Sequence, residues 1–294
     1  MEGIAVKKLI VVIICLAAFG IVIPCRAKII FVDTNATGAN NGSSWVNAYK
    51  YLQDALADAT SSSKPVEIRV AQGTYKPDED ILHPQGTGDR AATFQLINGV
   101  AIKGGYAGPR MSLSGADPNA RDIEKYKSIL SGDLAGNDRD VSDPCDLLAE
   151  PTRAENIYHI VMAISTDATA VIDGFVLTGG NASGDFETIY ALGGGMYNWL
   201  GSPSIANCVF SGNSAGGGGG LWNEFSSPIV ANCTFIKNAA NYGGGTFNTS
   251  GYPIFTDCRF EQNLAVEWWW DFGWGGWHVQ HRKFSTAGGM FVQR

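Results

Sequence analysis

Gly193-Gly-Gly-Met-Tyr-Asn198, Gly218-Gly-Gly-Leu-Trp-Asn223 and Gly243-Gly-Gly-Thr-Phe-Asn248 write one motif three times, 25 residues apart. The register continues beyond the motif. Pro203, Pro228 and Pro253 recur, followed by Cys208, Cys233 and Cys258, then Phe210, Phe235 and Phe260, and finally Asn213, Asn238 and Asn263. No position slips. A period of roughly 20 to 50 residues marks stacked repeats, in which each unit buries its apolar face only against its neighbours.

The units read as strands. A glycine triplet is unfavourable inside a helix, and none of the three copies shows a 3.6-residue apolar period. Cys208 and Phe210 share one strand face, whereas the position between them varies as Val209, Thr234 and Arg259. Alternation of that kind belongs to a strand with one buried face. Each unit holds two or three short strands broken at Gly, Pro or Asn, and stacking pairs each strand in parallel with its copy. Parallel crossovers are right-handed almost without exception. The chain is therefore expected to be all-β, a single-stranded right-handed parallel β-helix.

Five columns follow from the stacking. Asn213, Asn238 and Asn263 form an amide ladder that satisfies buried turn groups along the axis, with Asn207, Asn232 and Asp257 as a weaker second column. The Phe column is core, each ring contributing about 2–3 kcal/mol by burial. Cys208, Cys233 and Cys258 read as buried free thiols, unreactive in the fold. They lack the C-x-x-C spacing of a zinc site. Tyr197, Trp222 and Phe247 are ambiguous, because adjacent strand positions face opposite sides. Outside, at about 4.8 Å per coil, they would form a stacking platform for a sugar chain. Inside, they are core. Thr246 in the neighbouring Met196–Leu221–Thr246 column favours the aromatic side as the inner one.

The pattern weakens upstream. Phe175 and Leu177 match Cys208 and Phe210 at a displacement of 33, the extra eight residues fitting a loop around Gly184 to Tyr190. The stretch from Ala92 to Gly105 reads as two strands with a turn at Asn98-Gly99, and Pro65 to Ala71 as another. Ser44 can cap an amphipathic helix starting near Trp45, with Ala48, Leu52, Ala55, Leu56 and Ala59 on one face, plugging the open end of the solenoid. The expected order is a signal segment at 1–27, a cap and first coils at 28–130, an acidic loop at 131–155 and regular coils at 156–265. A Trp-rich irregular tail at 266–294 completes it, where Ala287-Gly-Gly-Met-Phe291 resumes a repeat start as if truncated.

Residues 1–27 combine Lys7 and Lys8 with a 15-residue apolar run from Leu9 to Ile23 and a small residue at Ala27. That is the pattern of a secretory leader, short for a membrane span, and no later segment could cross a bilayer. The formal charge of −7 becomes more negative once Lys7, Lys8 and Arg26 leave with Glu2. An acidic exported chain without Lys/Arg clusters has no electrostatic footprint for nucleic acid.

Catalytic signals are sparse. Hydrolysis on such a scaffold needs two converging carboxylates, and lyase chemistry needs carboxylates on Ca²⁺ beside a base. The outward positions 209 and 211 with their copies bring no acidic pair together in adjacent coils. His83, His159, His278 and His281 are scattered and read as surface or packing residues. No cofactor is expected beyond weak Ca²⁺ binding, for which Asp133, Asp138, Asp140 and Asp143 are the candidates. A plain solvated loop is the competing reading.

Phe210-Ser-Gly-Asn213, Phe235-Ile-Lys-Asn238 and Phe260-Glu-Gln-Asn263 resemble the F-x-x-N repeat of the chlamydial polymorphic outer membrane proteins. Gly194-Gly195-Met196 and Gly219-Gly220-Leu221 are similar to their G-G-A-[ILV] repeat, with Gly for Ala and the order offset. The stretch from Val32-Asp33 to Thr74-Tyr75 resembles secreted β-helix proteins of planctomycete-type bacteria. The likeness covers residues 28–265 and implies a pectin-lyase-like solenoid, secreted from a bacterium or displayed at its outer membrane. It brings no catalytic residues. Two functions stand: a non-catalytic surface or extracellular protein (adhesin-like, structural or binding a polysaccharide), and a polysaccharide lyase or glycoside hydrolase.

Overall fold

A computed structural model describes residues 27–109, 117–185, 187–270, 279–285 and 290–293. Of the expected leader segment 1–27, residues 1–26 lie outside the described residues. Four sheets of 7, 6, 5 and 6 strands, here I to IV in the order a coil visits them, run along a common axis. One coil passes through Ser204–Ala206 in sheet I, Val209–Ser211 in II, Ser214–Gly217 in III and Leu221–Glu224 in IV. Each strand pairs in parallel with its copy 25 residues on, as in Phe210 with Phe235 and Trp222 with Phe247. The architecture is a right-handed parallel β-helix.

The corners explain why the spacing cannot slip. Each is crossed through a residue in the left-handed region: Leu200, Phe225 and Ser250 between sheets IV and I, and Asn207, Asn232 and Asp257 between I and II. Asn207, Asn232 and Asp257 thus serve the corner by backbone conformation (φ 52°, 54° and 52°), and Asn207 bonds Asp173 Oδ1 of the preceding coil. The second amide ladder lies elsewhere, at Asn198, Asn223 and Asn248, where each Nδ2 donates to the next Oδ1 at 2.9 and 2.6 Å. The ladder at Asn213, Asn238 and Asn263 is as expected. Asn213 Nδ2 and Asn238 Nδ2 each reach the next Oδ1, at 3.0 and 2.9 Å, and backbone carbonyls take the remaining donors.

The glycine triplet has two roles. Its first member takes φ of 68°, 63° and 60° in the three copies. The other two let coils touch: a Cβ on Gly220 would stand 2.5 Å from the Gly245 carbonyl oxygen and 3.0 Å from the Phe235 ring.

Three ladders fill the interior. Sheet I contributes Ile30, Ile68, Ile102, Ile172, Ile205, Val230 and Phe255 in register. Sheet II contributes Tyr75, Leu130, Leu177, Phe210, Phe235 and Phe260. The Phe rings stack at 4.6 and 4.8 Å with interplanar angles of 8° and 6°. Sheet IV contributes Phe94, Val161, Met196, Leu221 and Thr246. The aromatic column is therefore the outer one, against the expectation drawn from Thr246. Met196 and Leu221 belong to the main core, and Thr246, shaped like Val, is fully buried beside them. With Phe rings already stacked against Gly195 and Gly220, the interior has no room for a second layer of rings.

The capping helix α1 spans Leu52–Ser61, with Leu52, Ala55, Leu56 and Ala59 buried against the first strands. It begins seven residues later than Ser44 and Trp45 suggest. Residues 44–50 are held as an irregular strap by Tyr49, whose carbonyl and amide bond Asp33 N and Phe31 O. Ser44 Oγ accepts from Asn47 N, and the Trp45 ring packs on Phe31 at 4.8 Å. No helix among the described residues is long and apolar enough to cross a membrane. In the tail, Leu264–Trp270 pairs antiparallel with Val279–Ser285, and Met290–Gln293 lies parallel to Thr246–Thr249. These stretches are strand where the sequence reads as irregular.

Cys208, Cys233 and Cys258 stand in one column as free thiols, donating to Ala206, Ala231 and Thr256 carbonyls. Hydrogen bonding to Cys208 and Cys258, together with burial, pushes the Cys233 thiol up. Cys258 departs from the expected burial of all three: it is half-buried, in the last of the three coils. Native thiol labelling followed by peptide mapping should find Cys258 modified, and Cys208 and Cys233 only in denaturant. Labelling of Cys233 at the rate of Cys258 would contradict the column. Phe235→Ala should lower unfolding free energy by about 3–5 kcal/mol in a urea titration; a loss below about 1 kcal/mol would place the ring outside a packed core.

Candidate functional site

Two inserted segments flank the strands of sheet III. The first, residues 133–156, leaves sheet II after Ser128–Ser131 and lays the 3₁₀ turn Pro144–Leu148 against the strands of sheet III. The second, residues 183–192, follows Asn181–Ala182 and returns at Leu192, paired with Gly217. Between them a groove of about 660 Å³ opens over sheet III. Its base comes from the strands (Asn181, Ala182, Ala215, Gly216, Asn241 and Tyr242), and Leu148, Ala149, Ser183 and Gly184 form its sides. That volume lies in the range of ligand sites, about 300–1,000 Å³.

Small side chains on the base leave room, and polar ones on the rim can hydrogen-bond. Tyr242 supplies the aromatic surface, 43% exposed. Its ring meets Phe247 edge-on at 6.4 Å, so the groove adjoins the aromatic column of sheet IV. Within that column Trp222 stacks on Phe247 at 4.5 Å and 9°. Tyr197 and Phe247 are only 3% and 8% exposed, while Trp222 is half-buried. The column faces outward but is largely roofed over. Tyr197 Oη and Trp222 Nε1 both lie 3.4 Å from Glu224 Oε2, and burial and the Glu224 charge raise the Tyr197 pKa.

The second insertion adds to the cover at the Tyr197 end. Tyr190 packs on Tyr158 at 4.7 Å and stacks over His159, which in turn lies 5.4 Å from Tyr197. Arg90 ties this layer down. Its guanidinium sits 4.1 Å from the Tyr158 ring centre and bonds Asn156 O, Asn181 O and Ser183 Oγ. His159, buried in the layer, donates from Nδ1 to the Gly193 carbonyl at 3.2 Å. Burial holds its pKa down at about 4.

The acidic candidates part company. Asp133 and Asp138 come together with Glu155, one carboxylate oxygen of each lying within 4.8 Å of the others. Asp140 is exposed and outside this group, and Asp143 caps the 3₁₀ turn through Cys145 N. Glu155, Arg153 and Asn156 carry no motif in the sequence. They join the cluster because residues 139–152 loop out and return. Burial raises the Asp138 pKa, the Asn156 hydrogen bond and Arg153 oppose it, and Asp133 and Glu155 add to it. Arg153 is itself buried, bonded to Asp138 Oδ2 at 3.1 Å and to the Gly180 and Gly212 carbonyls. Tyr242 also escapes sequence reading, since position 242 is Gly217 one coil earlier.

His159 predicts an acid-labile fold. The unfolded ring protonates near pH 6.5, whereas the folded ring stays neutral down to about 4. Its contribution is fully present above about pH 6.5 and is lost as pH falls towards 4, to a limit of about 3 kcal/mol. Urea midpoints of wild type and His159→Gln should converge across that window. Parallel curves would refute the assignment.

No protein-family model matches this chain, and no curated protein matches it. Among solved structures it is similar to the pectate lyase Pel9A, at 15% identity and a TM-score of 0.45, over 79% of this chain and 47% of the lyase. It is also similar to the pectin methylesterase PemA from Erwinia chrysanthemi, at 10% identity and a TM-score of 0.37, over 79% of this chain and 66% of the esterase. The chain spans about half the length of the lyase, and at these identities the likeness is one of fold alone.

Proposed function

We propose that this chain is a non-catalytic β-helix, exported to the bacterial surface or beyond, that binds an extended polysaccharide in the groove over sheet III. The observation that carries the reading is the groove itself, built by two insertions and bearing the exposed Tyr242 beside Asn181, Ser183 and Asn241. A sugar ring presents an apolar face and a hydroxyl rim. An aromatic ring suits the first, and amides and hydroxyls suit the second.

The leader-like segment and the F-x-x-N resemblance to surface-displayed proteins support export. The glycoside hydrolase form of the enzyme reading needs a pair of carboxylates at the sugar. Among the described residues lining the groove there is none, and Glu224 on the adjacent sheet is engaged by Tyr197 and Trp222.

Affinity electrophoresis against neutral and uronic-acid polymers should retard the mature chain, and Tyr242→Ala should weaken binding about tenfold, or about 1.4 kcal/mol. Equal retardation of the variant would move the site elsewhere. Release of reducing ends or unsaturated products in the same mixtures would replace binding with catalysis.

A further inference from the structure

The cluster of Asp133, Asp138 and Glu155 contains buried acceptors that nothing in the protein satisfies. Asp138 Oδ1 and Glu155 Oε1 are shut off from solvent without a hydrogen-bond donor. Asn156 adds an independent sign. It is fully buried, its Nδ2 is pinned to Asp138 Oδ2 at 2.8 Å and to the Gly179 carbonyl at 2.7 Å, and its Oδ1 is left without a donor. Buried polar atoms are almost always paired, and a group of orphaned oxygens in one place calls for a missing partner. The orphaned oxygens, Asp138 Oδ1, Glu155 Oε1 and Asn156 Oδ1, are acceptors that a cation can satisfy together, whereas Arg153 Nε, also buried without a partner, is a donor lacking an acceptor of its own.

Arg153 does not fill the role. Its Nη1 reaches Asp138 Oδ2, and its Nη2 is spent on the carbonyls of Gly180 and Gly212. One guanidinium against three carboxylates also leaves two negative charges.

We propose that Asp133, Asp138, Glu155 and the Asn156 carboxamide bind a divalent cation, Ca²⁺ by its chemistry. Ca²⁺ takes oxygen ligands alone, at about 2.3–2.6 Å, so oxygens on opposite sides of its shell lie roughly 5 Å apart. The 4.8 Å limit on the carboxylate oxygens fits within that shell. Zn²⁺ favours sulfur and imidazole nitrogen, and Mg²⁺ keeps much of its water. The ion ties the two ends of the excursion 139–152 together. Leu148 and Ala149, which side the groove, lie on that excursion, so the ion braces one side of the groove. The metal site stands whether or not the groove binds sugar.

Calorimetric titration of the chelator-treated mature chain with CaCl₂, with no glycan present, should give one site with Kd of about 0.1 mM or tighter. Thermal unfolding should rise by about 5 °C at Ca²⁺ a hundredfold above Kd. Glu155→Gln should weaken Ca²⁺ at least tenfold, while Asp140→Asn in the same loop leaves it unchanged. No heat and no thermal shift in the wild type overturns the site, whatever the variants do. Equal losses in Glu155→Gln and Asp140→Asn reduce it to diffuse charge, and an equal shift with MgCl₂ overturns the choice of Ca²⁺.

Discussion

Parallel backbone pairing between successive coils at constant register makes every residue meet its own counterpart one turn away. An inward position must therefore tolerate its own kind as a neighbour at roughly strand spacing, about 4.8 Å. Flat rings meet that demand by stacking, as Phe210, Phe235 and Phe260 do at 4.6–4.8 Å. Amides meet it because each carries both donor and acceptor, so Asn on Asn continues indefinitely. Carboxylates do not meet it, and no column of them is found within the three coils.

The same constraint governs the corners. A coil must turn at the same residue as the coil beneath it, so the left-handed conformation recurs at 200, 225 and 250 even though the occupants are Leu, Phe and Ser. Bulky residues rarely adopt that conformation. Here the stacked neighbours impose it, and the side chains of Leu200 and Phe225 point to solvent at 50% and 55% exposure.

A surface made of perfect repeats has no unique feature, and a site requires the repeat to be broken. Two of the breaks fall beside sheet III. The acidic excursion brings charge and buried acceptors, and the Tyr190 loop brings a roof of rings. Tyr242 stands where the preceding coil has Gly217, next to the groove they enclose. Regular coils supply rigidity, and the insertions supply shape and chemistry on top of it.

The 25-residue period determined the β-helix, the Phe and Cys columns and the amide ladder at Asn213, because each depends only on a residue meeting its copy. It also aligned Phe175 and Leu177 with the regular coils across an insertion. It could not determine which of two adjacent columns faces inward at Met196-Tyr197, since alternation is symmetric and the interior volume is set by the other sheets. Ser44 has the chemistry of a helix cap, yet the pairing of Tyr49 with Phe31 and Asp33 holds that segment out of helical conformation and delays α1 to Leu52. Asp133 and Asp138 were legible as acidic residues in one loop. Glu155 and Asn156 were not, because only the return of the chain after 16 intervening residues brings the Glu155 carboxylate and the Asn156 amide to Asp138.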